Sequence, residues 1–181
     1  MMSEATLQKS WDLIVGLDYG LFYLQTEDPY ARPDFQLSRL IDQAVAGSGI
    51  AQHHGQIVVL SPHERNYAMA MRVELWDEQP KLDLNGWQEA FEFALKVGRD
   101  GLIYDSPTLS TFHIPVPPGQ YLGLLCAQGF STHERPGTNT PGDRWRLQLW
   151  HPSAGQDASR DCQRLRAWTD VLIDPRQTNT G

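Results

Sequence analysis

Three groups of side chains in this sequence could support chemistry: the histidines, a serine in a nucleophile-like setting, and a run of carboxylates between two tryptophans. The histidines are His53, His54, His63, His113, His133 and His151. A jelly-roll metal site asks for a His-x-His pair on one strand, a Glu a few residues on, and a third His after a Pro-x-Gly turn. His53 and His54 are adjacent, so on a strand they point to opposite faces. After Pro118-Gly119 the positions where the third ligand belongs hold Leu122 and Gly123. "HERNY" (63–67) lacks the second ligand of a His-Glu-x-x-His zinc site, because Tyr67 stands there. "GFSTH" (129–133) follows a nucleophile elbow until His133 replaces the glycine that a strained strand-to-helix turn needs. "GSG" at 47–49 ends a helical pattern instead of opening one, so it makes no phosphate loop. The spacing therefore predicts no catalytic residue, no metal and no cofactor.

The carboxylates are more informative. Between Asp77 and Glu92 the chain carries Asp77, Glu78, Asp83, Glu89 and Glu92 against Lys81 alone. Such a segment is either a solvated connection or a contact surface for a basic partner. In the second case Trp76 and Trp87 supply the aromatic anchors that binding hot spots favour. Net charge supports the acidic reading. The whole chain carries −7; residues 1–143 hold 9 Lys/Arg against 18 Asp/Glu, whereas residues 144–181 hold 6 against 4. An acidic body repels phosphate, which disfavours nucleic acid, and attracts a basic protein.

The elements that must position these groups read mainly as β. "NYAMAMRVELW" (66–76) alternates over eleven positions, with Tyr67, Met69, Met71, Val73 and Leu75 on one side. "WQEAFEFALKV" (87–97) and "RWRLQLW" (144–150) alternate likewise, the latter with Trp145, Leu147 and Leu149 inward. "WDLIVGLDYGLFYLQT" (11–26) reads as one long strand or a strand bulged at Gly20, and "QIVVL" (56–60) as a short one. "LIYDS" and "LSTFHIPV" add two more. Pro117-Pro118-Gly119 then makes "FHIPVPPGQYLGLLCAQGF" (112–130) a hairpin. Leu37, Leu40, Ile41, Ala44 and Val45 recur at helical spacing, with Asp34 as a cap and Gly47 as a stop. A second short helix is expected around Cys162, Leu165 and Trp168.

Strands at intervals of about ten residues with one early helix argue an antiparallel β-sandwich of jelly-roll type. The expected domain runs from 11 to 152, with 153–181 packed on it as an extension that frays at its end. At 181 residues the chain can bury a core without disulfides. Cys126, inside an apolar run, is expected to be a buried thiol. No apolar run is long enough to span a membrane, and the N-terminus has no signal-like apolar stretch, so a soluble cytoplasmic protein is expected.

The order of elements resembles the competence protein J family of bacterial DNA-entry nuclease inhibitors. The likeness rests on "DLIVGLDYGLFYL", "LSRLIDQAVA" leading into "QIVVL", "YAMAMRVELW" and "IPVPPGQYLGLLCA", and covers roughly residues 11–130. "VPPGQYLGLLCAQG" and "DRWRLQLWHP" more closely resemble a group of uncharacterised bacterial proteins with the patterns "LPPGxYRVRYCARG" and "DRYLLxxWP". Both resemblances imply a β-sandwich, and the first implies binding and silencing of a nuclease. The expectation is thus a non-catalytic module, an inhibitor or immunity-type partner of a basic enzyme such as a nuclease or toxin. Its contact set is Trp76, Asp77, Glu78, Asp83, Trp87, Glu89 and Glu92. The alternative is a small-molecule or metal site in the loops around His53, His54 and His133. A homo-oligomer through an edge strand is a further possibility.

Overall fold

The computed structural model describes residues 4–26, 36–130 and 141–168, and these form eleven strands and one helix. In chain order they are β1 (Leu7–Leu17), β2 (Leu21–Gln25), α1 (Leu37–Ala46), β3 (Ile50–His53), β4 (Gln56–Leu60) and β5 (Asn66–Trp76). There follow β6 (Glu89–Val97), β7 (Leu102–Asp105), β8 (Phe112–Ile114), β9 (Gly119–Gln128), β10 (Arg144–Trp150) and β11 (Gln163–Arg166). They form two sheets. The larger has the order β1-β5-β10-β9-β6-β11 and the smaller β3-β4-β2-β7-β8. All pairings are antiparallel except β5 with β10, which run parallel.

The two sheets stack over a core that the alternation places correctly. Met69, Met71 and Val73 of β5, Phe91, Phe93 and Leu95 of β6, and Trp145, Leu147 and Leu149 of β10 all face it. Phe22, Leu24, Ile57, Val59, Leu102 and Tyr104 close it from the smaller sheet. Each such large side chain withdrawn from water contributes about 1.5–3 kcal/mol. Close packing is visible at Gly123 on β9, where a Cβ would stand 2.5 Å from the Phe93 ring, so only glycine fits. Tyr67 departs from its face: at the start of β5 it is exposed.

Each sheet also has an outer cover. Leu40 and Ala44 of α1 pack on Leu21, Tyr23, Ala51 and Val58, on the outer side of the smaller sheet. A ten-residue helix is marginal alone, so this apolar stripe holds it. Gly47 ends it as expected, its N–H donating to the Gln43 carbonyl at 3.0 Å; Asp34, the expected cap, lies outside the described residues. This helix is not long or apolar enough to cross a membrane.

Several connections differ from the linear reading because they are corners between sheets. Residues 11–26 are two strands: β1 belongs to the larger sheet and β2 to the smaller, with Tyr19 (φ 55) and Gly20 (φ 68) turning the chain between them. The change of sheet also resets parity, so Leu21 and Tyr23 face the helix while Phe22 and Leu24 enter the core. Residues 112–130 are likewise not a hairpin, since β8 pairs with β7 and β9 with β6 and β10. Pro115, Pro117 and Pro118 have no N–H to continue a ladder, so the segment carries the chain from one sheet to the other. The expected second helix is replaced over Gln163–Arg166 by β11, which adds to the edge of the larger sheet beside β6. A strand not anticipated, β3, pairs with β4 through a two-residue turn, His54 (φ 41) and Gly55 (φ 78), the positive-φ pair such hairpins require.

Candidate functional site

The acidic segment forms the outer cover of the larger sheet. Alternation on β5 points Ala70, Arg72, Glu74 and Trp76 away from the core, and on β10 Arg144, Arg146, Gln148 and Trp150. After Trp76 the chain folds back over this face before entering β6. Trp76, Leu84 and Trp87 pack there on Ala90, Ala94, Leu122, Leu124, Cys126 and Trp150. Backbone carbonyls of Leu84 and Trp87 accept from Arg166, the latter at 3.0 Å, which ties the segment to β11. Gln88 pins its end, its side-chain oxygen accepting from the backbone N–H groups of Gly129 and Phe130 at 2.8 and 2.9 Å.

The seven residues singled out by sequence divide in two. Trp76 and Trp87 are half-buried anchors; the Trp76 indole donates to Glu74 at 3.1 Å, and the Arg146 guanidinium lies 4.5 Å from the Trp87 ring centroid. Asp77, Glu78 and Asp83 are exposed, and among the described residues none of them pairs with a base. The Thr6 backbone N–H, donating at 2.7 Å, holds the Asp77 carboxyl below the usual carboxylate range. Asp83 accepts from Asn85 N–H at 2.9 Å.

Glu89 and Glu92, by contrast, face β11. Glu89 is 1% exposed and accepts from Arg164 Nη2 at 2.6 Å, from Arg164 Nε at 2.9 Å and from the Trp168 backbone N–H at 3.1 Å. Glu92 pairs with Arg160 at 3.1 Å and accepts from Gln163. These two carboxylates dock the last strand. The basic partners lie more than 65 residues away in sequence, in the C-terminal stretch where bases outnumber acids, and that was the available signal.

The histidines scatter. His53 and His54 sit at the β3–β4 turn with ring centroids 4.1 Å apart, beside a cavity of about 750 Å³ that Cys162 and Arg160 also line. His113 is exposed on β8, and His151 stacks on Tyr121 at 4.5 Å. His133, with the rest of residues 131–140, lies outside the described residues. Among the described residues no three His, Cys, Asp or Glu side chains gather as a metal site would need.

A buried polar cluster escaped the sequence reading. Asp143, immediately before β10, accepts from Asn66 Nδ2 at 2.6 Å and from the Trp145 indole at 3.0 Å, and its Oδ1 lies 3.0 Å from His63 Nδ1. It ties the start of β5 to the start of β10, where the parallel pair begins. Burial opposes ionisation of Asp143, but the hydrogen bonds from His63, Asn66 and Trp145 outweigh it and hold the carboxyl below its ordinary value. A carboxylate depressed in the folded state stabilises the protein fully above its unfolded value, near 3.8, and that stability is lost as pH falls through the lower folded value. Acid titration followed by far-ultraviolet circular dichroism should therefore show a stability loss below pH 4 that is smaller in Asp143→Asn. An identical acid limb in both proteins would rule this cluster out as a contributor.

Comparison with solved structures supports the fold. The chain is similar to ComJ, inhibitor of the DNA degrading activity of NucA, from Bacillus subtilis, with a TM-score of 0.54 at 13% identity, over 83% of this chain and 100% of that one. It is also similar to a protein described as crocagin biosynthetic gene J, with a TM-score of 0.51 at 15% identity, over 80% of this chain and 98% of the other. No family model and no curated protein matches the sequence. At these identities the likeness establishes a shared β-sandwich fold.

Proposed function

We propose that this chain is a non-catalytic protein-binding module that inhibits a basic enzyme such as a nuclease, as an immunity-type partner in the cytoplasm. The observation that carries the reading is the outer cover of the larger sheet: exposed Asp77, Glu78 and Asp83 beside the anchored rings of Trp76 and Trp87. Fixed carboxylates on a rigid support offer a cationic groove what a nucleic-acid backbone offers it, and their charge speeds encounter. The aromatic pair supplies the desolvated centre that such contacts need. Likeness along the whole length of an inhibitor of a DNA-degrading enzyme agrees with this reading.

The test measures association of the purified chain with a NucA-type nuclease at rising salt, alongside plasmid degradation. The association rate should fall at least tenfold between low and high ionic strength. Asp77→Lys/Glu78→Lys/Asp83→Lys should lower it by a similar factor at low salt while the far-ultraviolet circular dichroism spectrum holds, because all three side chains are exposed and none belongs to the core. Salt-indifferent binding, or inhibition that survives the triple reversal, would remove the proposal.

A further inference from the structure

The same outer face carries a basic groove inside an acidic protein. Between β1, β5 and β10 lies a depression of about 480 Å³, within the range of small-ligand sites. Its apolar walls include Ile14, Ala70 and the Trp87 ring, and Arg72, Arg144 and Arg146 reach into it. Strand register sets Ala70 beside Arg144 and Arg72 beside Arg146. Like charges directly opposite on neighbouring strands repel unless something compensates.

Only one of the three arginines is compensated. Arg72 donates to both Asp12 oxygens at 2.9 and 3.0 Å and to Glu74 at 2.8 Å, so its charge is met twice. Arg144 and Arg146 have no carboxylate partner among the described residues. Gln128, its amide turned with the oxygen toward Arg144, accepts from that guanidinium at 2.8 and 2.9 Å without neutralising it. Arg146 lies against the Trp87 ring, and its Nε is buried with no hydrogen-bond partner. The Cys126 thiol nearby is no counter-ion, because burial pushes it up to about 11. Arg146 as a whole is only half-buried, so the rest of its guanidinium stays open to an acceptor from outside.

We propose that this groove binds a small organic acid, with Arg146 and Arg144 taking its carboxylate and Ile14, Ala70 and Trp87 enclosing its apolar body. Arg144 and Arg146 stand two residues apart on one strand, so their Cα atoms are about 7 Å apart on the same face, and a guanidinium fork suits a planar carboxylate. Phosphate is disfavoured, because the apolar walls of Ile14, Ala70 and Trp87 offer it nothing. The two readings share the Trp87 ring, but this one stands on Arg144 and Arg146 and the nuclease reading on the charges of Asp77, Glu78 and Asp83, so the two sets of variants separate them.

Calorimetry and the tryptophan indole N–H signals in nitrogen-15 spectra, with sodium octanoate as the probe, test it. Octanoate should bind at least tenfold more tightly than acetate, 1-octanol or inorganic phosphate, and should shift the Trp87 indole signal. Arg146→Gln should weaken octanoate about tenfold or more, as loss of a charged hydrogen bond does. Ala70→Glu, at an exposed position, should abolish binding by placing an internal carboxylate beside Arg144, with an unchanged melting temperature. That second variant reports on the site even if Arg146→Gln folds poorly. Octanoate binding no tighter than octanol, or unaffected by Ala70→Glu, would overturn the proposal. A leucine-terminated tripeptide binding tenfold more tightly than octanoate would assign the groove to chain termini and overturn the small-acid source.

Discussion

Replacing Arg164 by methionine should lower the unfolding free energy by about 3–5 kcal/mol, the usual consequence of stranding one member of a buried ion pair. Glu89 is 1% exposed, and Arg164 is its charge partner through contacts of 2.6 and 2.9 Å. Without the guanidinium the carboxylate stays buried beside β11, with the Trp168 N–H as its one remaining donor among the described residues. The strand itself contributes little to offset this, being four residues long with a register break between Arg164 and Arg166. Urea denaturation of both proteins measures the loss. The double variant Arg164→Met/Glu89→Leu should recover most of it, since replacing both charges of a buried pair by apolar groups is often neutral or better. A single-variant loss below about 1 kcal/mol would mean that water already solvates Glu89, contrary to the geometry.

Trp145→Ala should cost a comparable amount, about 3–5 kcal/mol. The side chain is 2% exposed at the centre of the sandwich, with Phe22 edge-on at 4.9 Å and Phe130 at 6.0 Å. Truncation leaves a cavity the close-packed sheets cannot fill, and it removes the indole donor to Asp143 at 3.0 Å. For a chain of 181 residues the melting temperature should fall by on the order of 10 °C. Trp145→Phe separates the two effects, because it keeps most of the ring and loses the N–H; it should cost about 1–3 kcal/mol. If alanine and phenylalanine were equally mild, Trp145 would not be the keystone its packing implies.

How much of this was legible beforehand depended on the range over which each signal acts. The alternation over 66–76 and 144–150 placed Met69, Met71, Val73, Trp145, Leu147 and Leu149 in the core, because pleating makes burial a local property. The same rule failed across Asp18-Tyr19-Gly20 and across the Pro117-Pro118-Gly119 segment. A corner between sheets and a hairpin within one use similar turn residues, and nothing local tells them apart. Tyr67 failed for a related reason, since a strand end overhangs its core. For the candidate surface, Trp76 and Trp87 read from the sequence as anchors for a partner, and only the structure shows both packed on their own sheet. The fates of Glu89 and Glu92 did not follow, because a carboxylate's neighbours are set by strand order, and their arginines arrive with β11.

By itself, then, the sequence determined that this is a two-sided β protein with one amphipathic helix, an acidic body and a basic final stretch. Each of these properties is local or summed along the chain. Only the tertiary structure decided which acids remain exposed, that β5 and β10 run side by side in parallel, and that Arg72, Arg144 and Arg146 share one groove with Trp87. The physical reason is that charge compensation and burial of polar groups depend on distances of a few ångströms between residues about 60 to 90 apart in sequence, distances fixed by strand order.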